Sequence, residues 1–154
     1  MEIFNYISGL VAGLVKDPAM AHQAFVTLMA VADPRPPEAY PETIKQLHAD
    51  APILYHDYQE MLRELPDLDL VTIGTGLHLH YPMVSRAVEA GCHVILAKPA
   101  AVTVQTIDRM IETAARCERI VAVDFQHLYA DATQAVKAEI AGGDLGCVKT
   151  VVSK

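Results

Sequence analysis

The 154-residue sequence has no tryptophan, which excludes an indole signal of its own, and only three cysteines, Cys92, Cys117 and Cys147. An odd number without a C-x-x-C spacing argues against a disulfide framework and against a zinc ribbon, and suits a reducing compartment. A cytoplasmic address is the expectation. Basic residues are scarce as well: 12 Lys and Arg against 19 Asp and Glu give a net charge of −7, so no broad face for nucleic-acid phosphates is expected. No apolar run approaches the roughly 20 residues of a membrane span. The amino terminus lacks a basic segment followed by an apolar stretch and a small-residue cleavage site, so neither membrane nor signal peptide is expected. There is no internal repeat or low-complexity linker, and the single proline cluster, Pro34 to Pro41, is too short to divide domains.

What is present is the composition of one buried α/β core: 52% apolar residues with 20% charged, in a chain long enough to bury roughly 70% of its unfolded surface. The stretch from Val71 to Pro99 organises the rest. Val71 to Gly74 and Val94 to Leu96 are short apolar runs suited to strands buried on both faces. Between them, Pro82 near a helix start and Gly91 past its end bracket Val84, Ala87 and Val88, which makes one βαβ unit. Upstream, strands are expected over Glu2 to Ile7, Phe25 to Ala32 and Ile53 to Tyr55. Helical pieces are expected after Ser8 to Gly13, at Asp17-Pro18 and over Glu38 to His48, with Ile44 and Leu47 inward. Asp57 caps a helix carrying Met61, Leu62 and Leu65, and Leu68 to Gly74 returns to the sheet. Downstream, Thr103 caps a helix whose Val104, Ile107, Met110, Ile111 and Ala114 recur at spacings of three and four. Ile120 to Val123 is a sixth strand, Ala132, Val136 and Ile140 mark a helix stopped by Gly142-Gly143, and Val148 to Val152 begins a seventh strand. Such alternation predicts a doubly wound, Rossmann-like parallel sheet in a single α/β domain.

In such a sheet ligands sit beyond the carboxyl ends of the strands. A dinucleotide there wants G-x-G-x-x-G after the first strand, because side chains would collide with the pyrophosphate. The chain offers Ser8, Gly9 and Gly13 in SGLVAG, which reads either as a phosphate loop or as a close helix–strand packing site. Asp33 ends the second strand 24 residues after Gly9, where a carboxylate can accept the adenosine ribose hydroxyls; the alternative is a turn residue before Pro34. Arg35 leaves room for a 2′-phosphate, but Asp33 would repel one, so NAD is expected ahead of NADP. Thr75 and Gly76 follow a strand end and could face the ribose or nicotinamide side, or simply form a turn. His78 and His80 form an H-x-H pair that lies beyond the strand, where the side chains diverge, so no metal site is expected and His80 reads as a helix-start site residue. Lys98, fixed by Pro99 after a buried strand, can hydrogen-bond cofactor or substrate, against the default of a solvated lysine.

The run TGLHLHYPMVSRAVEAGCHVILAKPAAVT, Thr75 to Thr103, resembles the signature region of the glucose-fructose oxidoreductase and inositol dehydrogenase (Gfo/Idh/MocA) family of sugar and polyol oxidoreductases. In that family T-P-N-x-x-H precedes a helix ending E-A-G-K-H-V and then E-K-P. VADP at Val31 to Pro34, HDYQEML at His56 to Leu62, VDFQHLY at Val123 to Tyr129 and IAGGDLG at Ile140 to Gly146 are similar to further family segments, so the resemblance runs from about Phe25 to Lys154. Ala97, Gly76 and Asp124 stand where the family has glutamate, proline and glycine. The resemblance implies an NAD(P)-binding domain over residues 1–146, with Asp33, Thr75, Gly76, His80, Lys98, Pro99 and Gln126 along the cofactor and Lys98 near the substrate carbon that yields hydride. It implies that residues 147–154 begin a second α/β domain that supplies an oligomerisation sheet and a catalytic histidine and is truncated or absent here. Two readings stay open: an oxidoreductase domain acting on a sugar or polyol hydroxyl, poorly active alone, or a noncatalytic remnant serving as a nucleotide-binding or protein-interaction module. A homo-oligomer or a separate partner would cover the edge left by Val148 to Val152.

Overall fold

The computed structural model describes residues 28–39, 52–143 and 145–150. The strand expected over Glu2 to Ile7, the Ser8–Gly13 loop, the piece at Asp17-Pro18, most of the Glu38–His48 helix and the end of Val148 to Val152 lie outside those residues. The chain divides into two compact units, residues 1–123 and 124–154.

In the first unit, the β-rich runs form short strands where apolar residues can be buried between layers. β1 (Ala30–Ala32) and β2 (Ile53–Tyr55) pair in parallel, Ala30 opposite Ile53 and Ala32 opposite Tyr55. α1 (Tyr58–Glu64) follows, its first turn capped by the Asp57 carboxylate, which accepts from the Gln59 N–H at 2.8 Å, and it buries Met61 and Leu62. β3 (Leu70–Ile73), α2 (Leu77–Glu89) and β4 (His93–Ala97) form the expected βαβ unit, with β3 and β4 parallel from Leu70 opposite His93 to Ile73 opposite Leu96. α3 (Val104–Arg116) leads to β5 (Val121–Asp124), and the second sheet runs β3-β4-β5. Among the described residues the strands thus fall into two hydrogen-bonded sets, β1-β2 and β3-β4-β5. One core joins them: Met61, Leu62, Ile73, Val84, Ala87, Val88, Cys92, Val94, Leu96 and Met110 are buried together, with Ala30, Ala32 and Tyr55 packed against them.

α2 presents His80, Val84, Ala87 and Val88 inward, at intervals of four, three and one, the stripe a 3.6-residue period requires. It begins earlier than Pro82 suggests, so Pro82 is its sixth residue rather than a first-turn proline. The end is as expected: Gly91, at φ 94°, lets its N–H reach the Val88 carbonyl and the Cys92 N–H reach the Ala87 carbonyl, a Schellman closure. The Thr103 hydroxyl caps α3 by accepting the Thr106 N–H at 3.2 Å. Its inner face is Met110, Thr113 and Ala114, however, while Val104 and Ile111 are 68% and 61% exposed. Those two share one side of the helix, turned roughly 100° from the Met110–Ala114 seam at 3.6 residues per turn.

The second unit holds a single-turn 3₁₀ helix (Gln126–Tyr129) and α4 (Asp131–Gly142), which ends at Gly143 in the left-handed region, φ 84°. The Gln134 side-chain amide donates to the Leu128 carbonyl and ties the two helices. No residue of α4 is buried. Residues 148–150 are irregular rather than the expected strand; among the described residues no strand pairs with them, and an extended segment without a neighbour gains no ladder bonds.

Candidate cofactor site

Parallel strands end in loops on one side, and three such ends carry the polar residues singled out above. At the end of β1 the backbone is held by the Asp33 N–H donating to the Tyr55 carbonyl at 3.0 Å. The Asp33 carboxylate is clasped by Arg35: Nε donates to Oδ1 at 3.1 Å, Nη2 to Oδ2 at 3.0 Å, and the Arg35 backbone N–H to Oδ1 at 2.9 Å. The Asp33 side chain is 14% exposed and that of Arg35 47%. This two-pronged fork is the strong form of a charged hydrogen bond.

After β3, Gly76 is the N-cap of α2 with φ −61° and ψ 141°. That φ is the one a proline ring imposes, so the glycine standing at the family's proline position keeps the proline's backbone. A Cβ there would come within 3.0 Å of the His78 ring, the end of an exposed side chain. No side chain caps this helix start and no acid lies in its first turn, which leaves its positive end open to an anion. The Thr75 hydroxyl, expected to face the ligand, donates instead to the Met83 sulfur at 3.4 Å.

His80 lies in the first turn of α2, and its ring turns inward. The ring is 2% exposed. Its Nε2 is 3.1 Å from the Thr75 carbonyl oxygen, and its Nδ1 is 3.1 Å from that of Pro99 and 3.2 Å from that of Ala100. Both ring nitrogens therefore meet backbone carbonyls, and no edge of the ring is presented to a ligand. His78 is exposed, so the H-x-H pair points apart. Among the described residues no group of three His, Cys, Asp or Glu could hold a metal ion.

Lys98 follows β4 and is joined to Pro99 by a cis peptide. It is exposed, because β4 ends one residue earlier and the chain has left the core. The structure thus brings together Thr75, His80, Pro99 and Ala100, with Lys98 next in the chain. Asp33 is paired with Arg35. Ser8, Gly9 and Gly13 lie outside the described residues, and Gln126 opens the 3₁₀ helix of the second unit. Asp124, also in that unit, is buried, and burial pushes its carboxyl above the ordinary value. The Arg35 fork and the inward His80 ring were not legible beforehand. The D-P-R spacing at Asp33 to Arg35 is the one mark the fork leaves in the sequence.

The residues present fit a dinucleotide: a carboxylate at the end of one parallel strand, an uncapped helix start after another, and an exposed ammonium after a third. The model of an oxidoreductase family with an NAD-binding Rossmann fold, Gfo/Idh/MocA, matches residues 8–125. The chain belongs to this family. Its cofactor is accordingly NAD(P). D-glucoside 3-dehydrogenase of Escherichia coli K12 is 33% identical over 119 residues, which cover 77% of this chain and 33% of that protein. The crystal structure of an NAD-binding oxidoreductase from Klebsiella pneumoniae superposes with a TM-score of 0.70 at 29% identity, over 94% of this chain and 36% of the other. Myo-inositol 2-dehydrogenase of Lactobacillus plantarum, 21% identical with a TM-score of 0.68 over 80% of this chain and 35% of the other, shares the fold. The chain spans between about a fifth and a third of the length of the curated relatives it matches.

Proposed function

We propose that the chain is the cofactor-binding part of an NAD(P)-dependent dehydrogenase that oxidises a hydroxyl of a sugar or polyol, with NAD preferred. The observation that carries this is Lys98, an exposed ammonium at the carboxyl end of β4 within the region matched by the NAD-binding family. The bound cofactor supplies the hydride acceptor. Asp33 holds the adenosine ribose through its hydroxyls, and its charge disfavours a 2′-phosphate. Lys98 donates from Nζ to the substrate hydroxyl oxygen and fixes the carbon that loses hydride, while the hydroxyl proton passes to a group that the family's second domain would supply. The likeness to D-glucoside 3-dehydrogenase supports a sugar-like substrate.

A second reading, a nucleotide-binding module without turnover, is favoured by Ala97, which puts a methyl group where the family carries a carboxylate. Titrating the chain into NADH separates the possibilities, since the absence of tryptophan leaves reduced-nicotinamide fluorescence undisturbed. Binding with sugar-dependent NADH formation from NAD supports the enzyme reading over the second, and no fluorescence change at millimolar cofactor sinks both. Lys98→Ala should lower any turnover by about 100-fold or more and leave adenosine contacts in place; undiminished turnover removes Lys98 from the chemistry.

A further inference from the structure

His80 is among the most deeply buried polar side chains of the first unit, and its surroundings are all of one kind. Thr75 belongs to the loop leaving β3, Pro99 and Ala100 to the loop leaving β4, and each contributes a backbone carbonyl to the ring. Carbonyl oxygens only accept, so every contact that is a hydrogen bond uses a proton on the ring. A neutral imidazole has one such N–H and secures one loop at a time; a protonated ring secures both. All hydrogen bonds and ion pairs of His80 among the described residues are with these three carbonyls. The ring cannot reach a ligand, yet it holds the Pro99–Ala100 peptide, the second after Lys98.

We propose that His80 is a positioning residue for Lys98. From the rigid first turn of α2, its Nδ1 anchors the Pro99 and Ala100 carbonyls and so fixes where the Lys98 backbone leaves β4. The inference rests on the reading that Lys98 addresses the substrate, but its test does not need cofactor or substrate.

The unliganded chain is compared with His80→Phe, His80→Asn and His80→Gln by amide hydrogen exchange and by the rate at which an amine reagent labels Lys98. Asparagine places its amide close to the Nδ1 position and glutamine close to Nε2. The phenylalanine variant should change the Lys98 labelling rate by about threefold or more while the Val94 and Leu96 amides, held within β4, stay protected from exchange. The asparagine variant should restore the labelling rate toward the parent and the glutamine variant should not. Uniform acceleration across β4, equal behaviour of the asparagine and glutamine variants, or an unchanged Lys98 labelling rate each overturns the proposal. Should the phenylalanine variant fail to fold, NMR of the parent decides: a coupling across the hydrogen bond from ring Nδ1 to the Pro99 or Ala100 carbonyl supports the anchor, and its absence overturns it. Failed NADH binding would instead count against the enzyme reading and leave these outcomes standing.

Discussion

Asp33 ends β1 with both carboxylate oxygens engaged by Arg35. On the function proposed above, ribose hydroxyls arriving there would share an acceptor whose charge Arg35 already partly balances. Replacing Asp33 with Ser should therefore weaken NADH by roughly tenfold or more, the loss of a charged hydrogen bond of about 1.5–3 kcal/mol, and weaken NADPH less. Fluorescence titration with both cofactors checks this, and equal losses would show that Asp33 does not discriminate. At this scale the sequence made position legible but not engagement. Asp33 and Thr75 lie at the strand ends where the apolar runs stop, as expected. That Arg35 would close on Asp33, or the Thr75 hydroxyl turn to Met83, depends on side-chain geometry that no spacing encodes.

α2 and α3 stop in the same way with different residues. In α2 the left-handed position is Gly91; in α3 it is Glu118, at φ 55°, where the Glu118 N–H reaches the Ala115 carbonyl and the Arg119 N–H that of Ala114. The two ends are linked, since Arg119 Nε donates to the Gly91 carbonyl at 2.6 Å. Only glycine adopts this φ without a Cβ penalty. Gly91→Ala should therefore cost about 1 kcal/mol or more, and Glu118→Gly should stabilise by up to about 1 kcal/mol, as read from urea unfolding midpoints. A gain from the first change or a loss from the second would contradict the backbone argument. Gly91 announced itself after a run of helical period. Glu118 left no mark, because nothing about a glutamate signals a left-handed turn. The outward turn of Val104 and Ile111 was hidden for a related reason: several apolar residues at three- and four-residue spacing are compatible with more than one inner face, and packing on α2 decides between them.

For the whole molecule, the pH dependence of stability has an identifiable contributor. Asp124 is buried, and burial raises its carboxyl above the ordinary value of 3.8. A raised folded-state value means the native chain binds the proton more readily than the unfolded one. This contribution therefore favours the fold most at and below that ordinary value and declines as pH rises through the window above it, by at most about 1.4 kcal/mol per pH unit. Asp124→Asn should flatten the fall in stability between acid and neutral pH, measured as urea midpoints across that range; an unchanged slope would remove Asp124 as the cause. The doubly wound class, the central βαβ unit and the family were all legible in the sequence, because hydrophobic period and glycine punctuation fix them. The division after Val123 and the irregular path of 148–150 were not, since both depend on which surfaces find partners.

The parallel pairing of β3 and β4 carries one more consequence. Every matched position, from Leu70 with His93 to Ile73 with Leu96, is separated by the same 23 residues. A single loop closure therefore admits the whole ladder, and its entropy is charged once rather than per rung. Doubling such a loop adds only about 0.6 kcal/mol. Extra residues in the turn between β3 and α2 would cost this pair little through chain entropy; what bars them is geometry, the Thr75 carbonyl that must still arrive beneath the His80 ring.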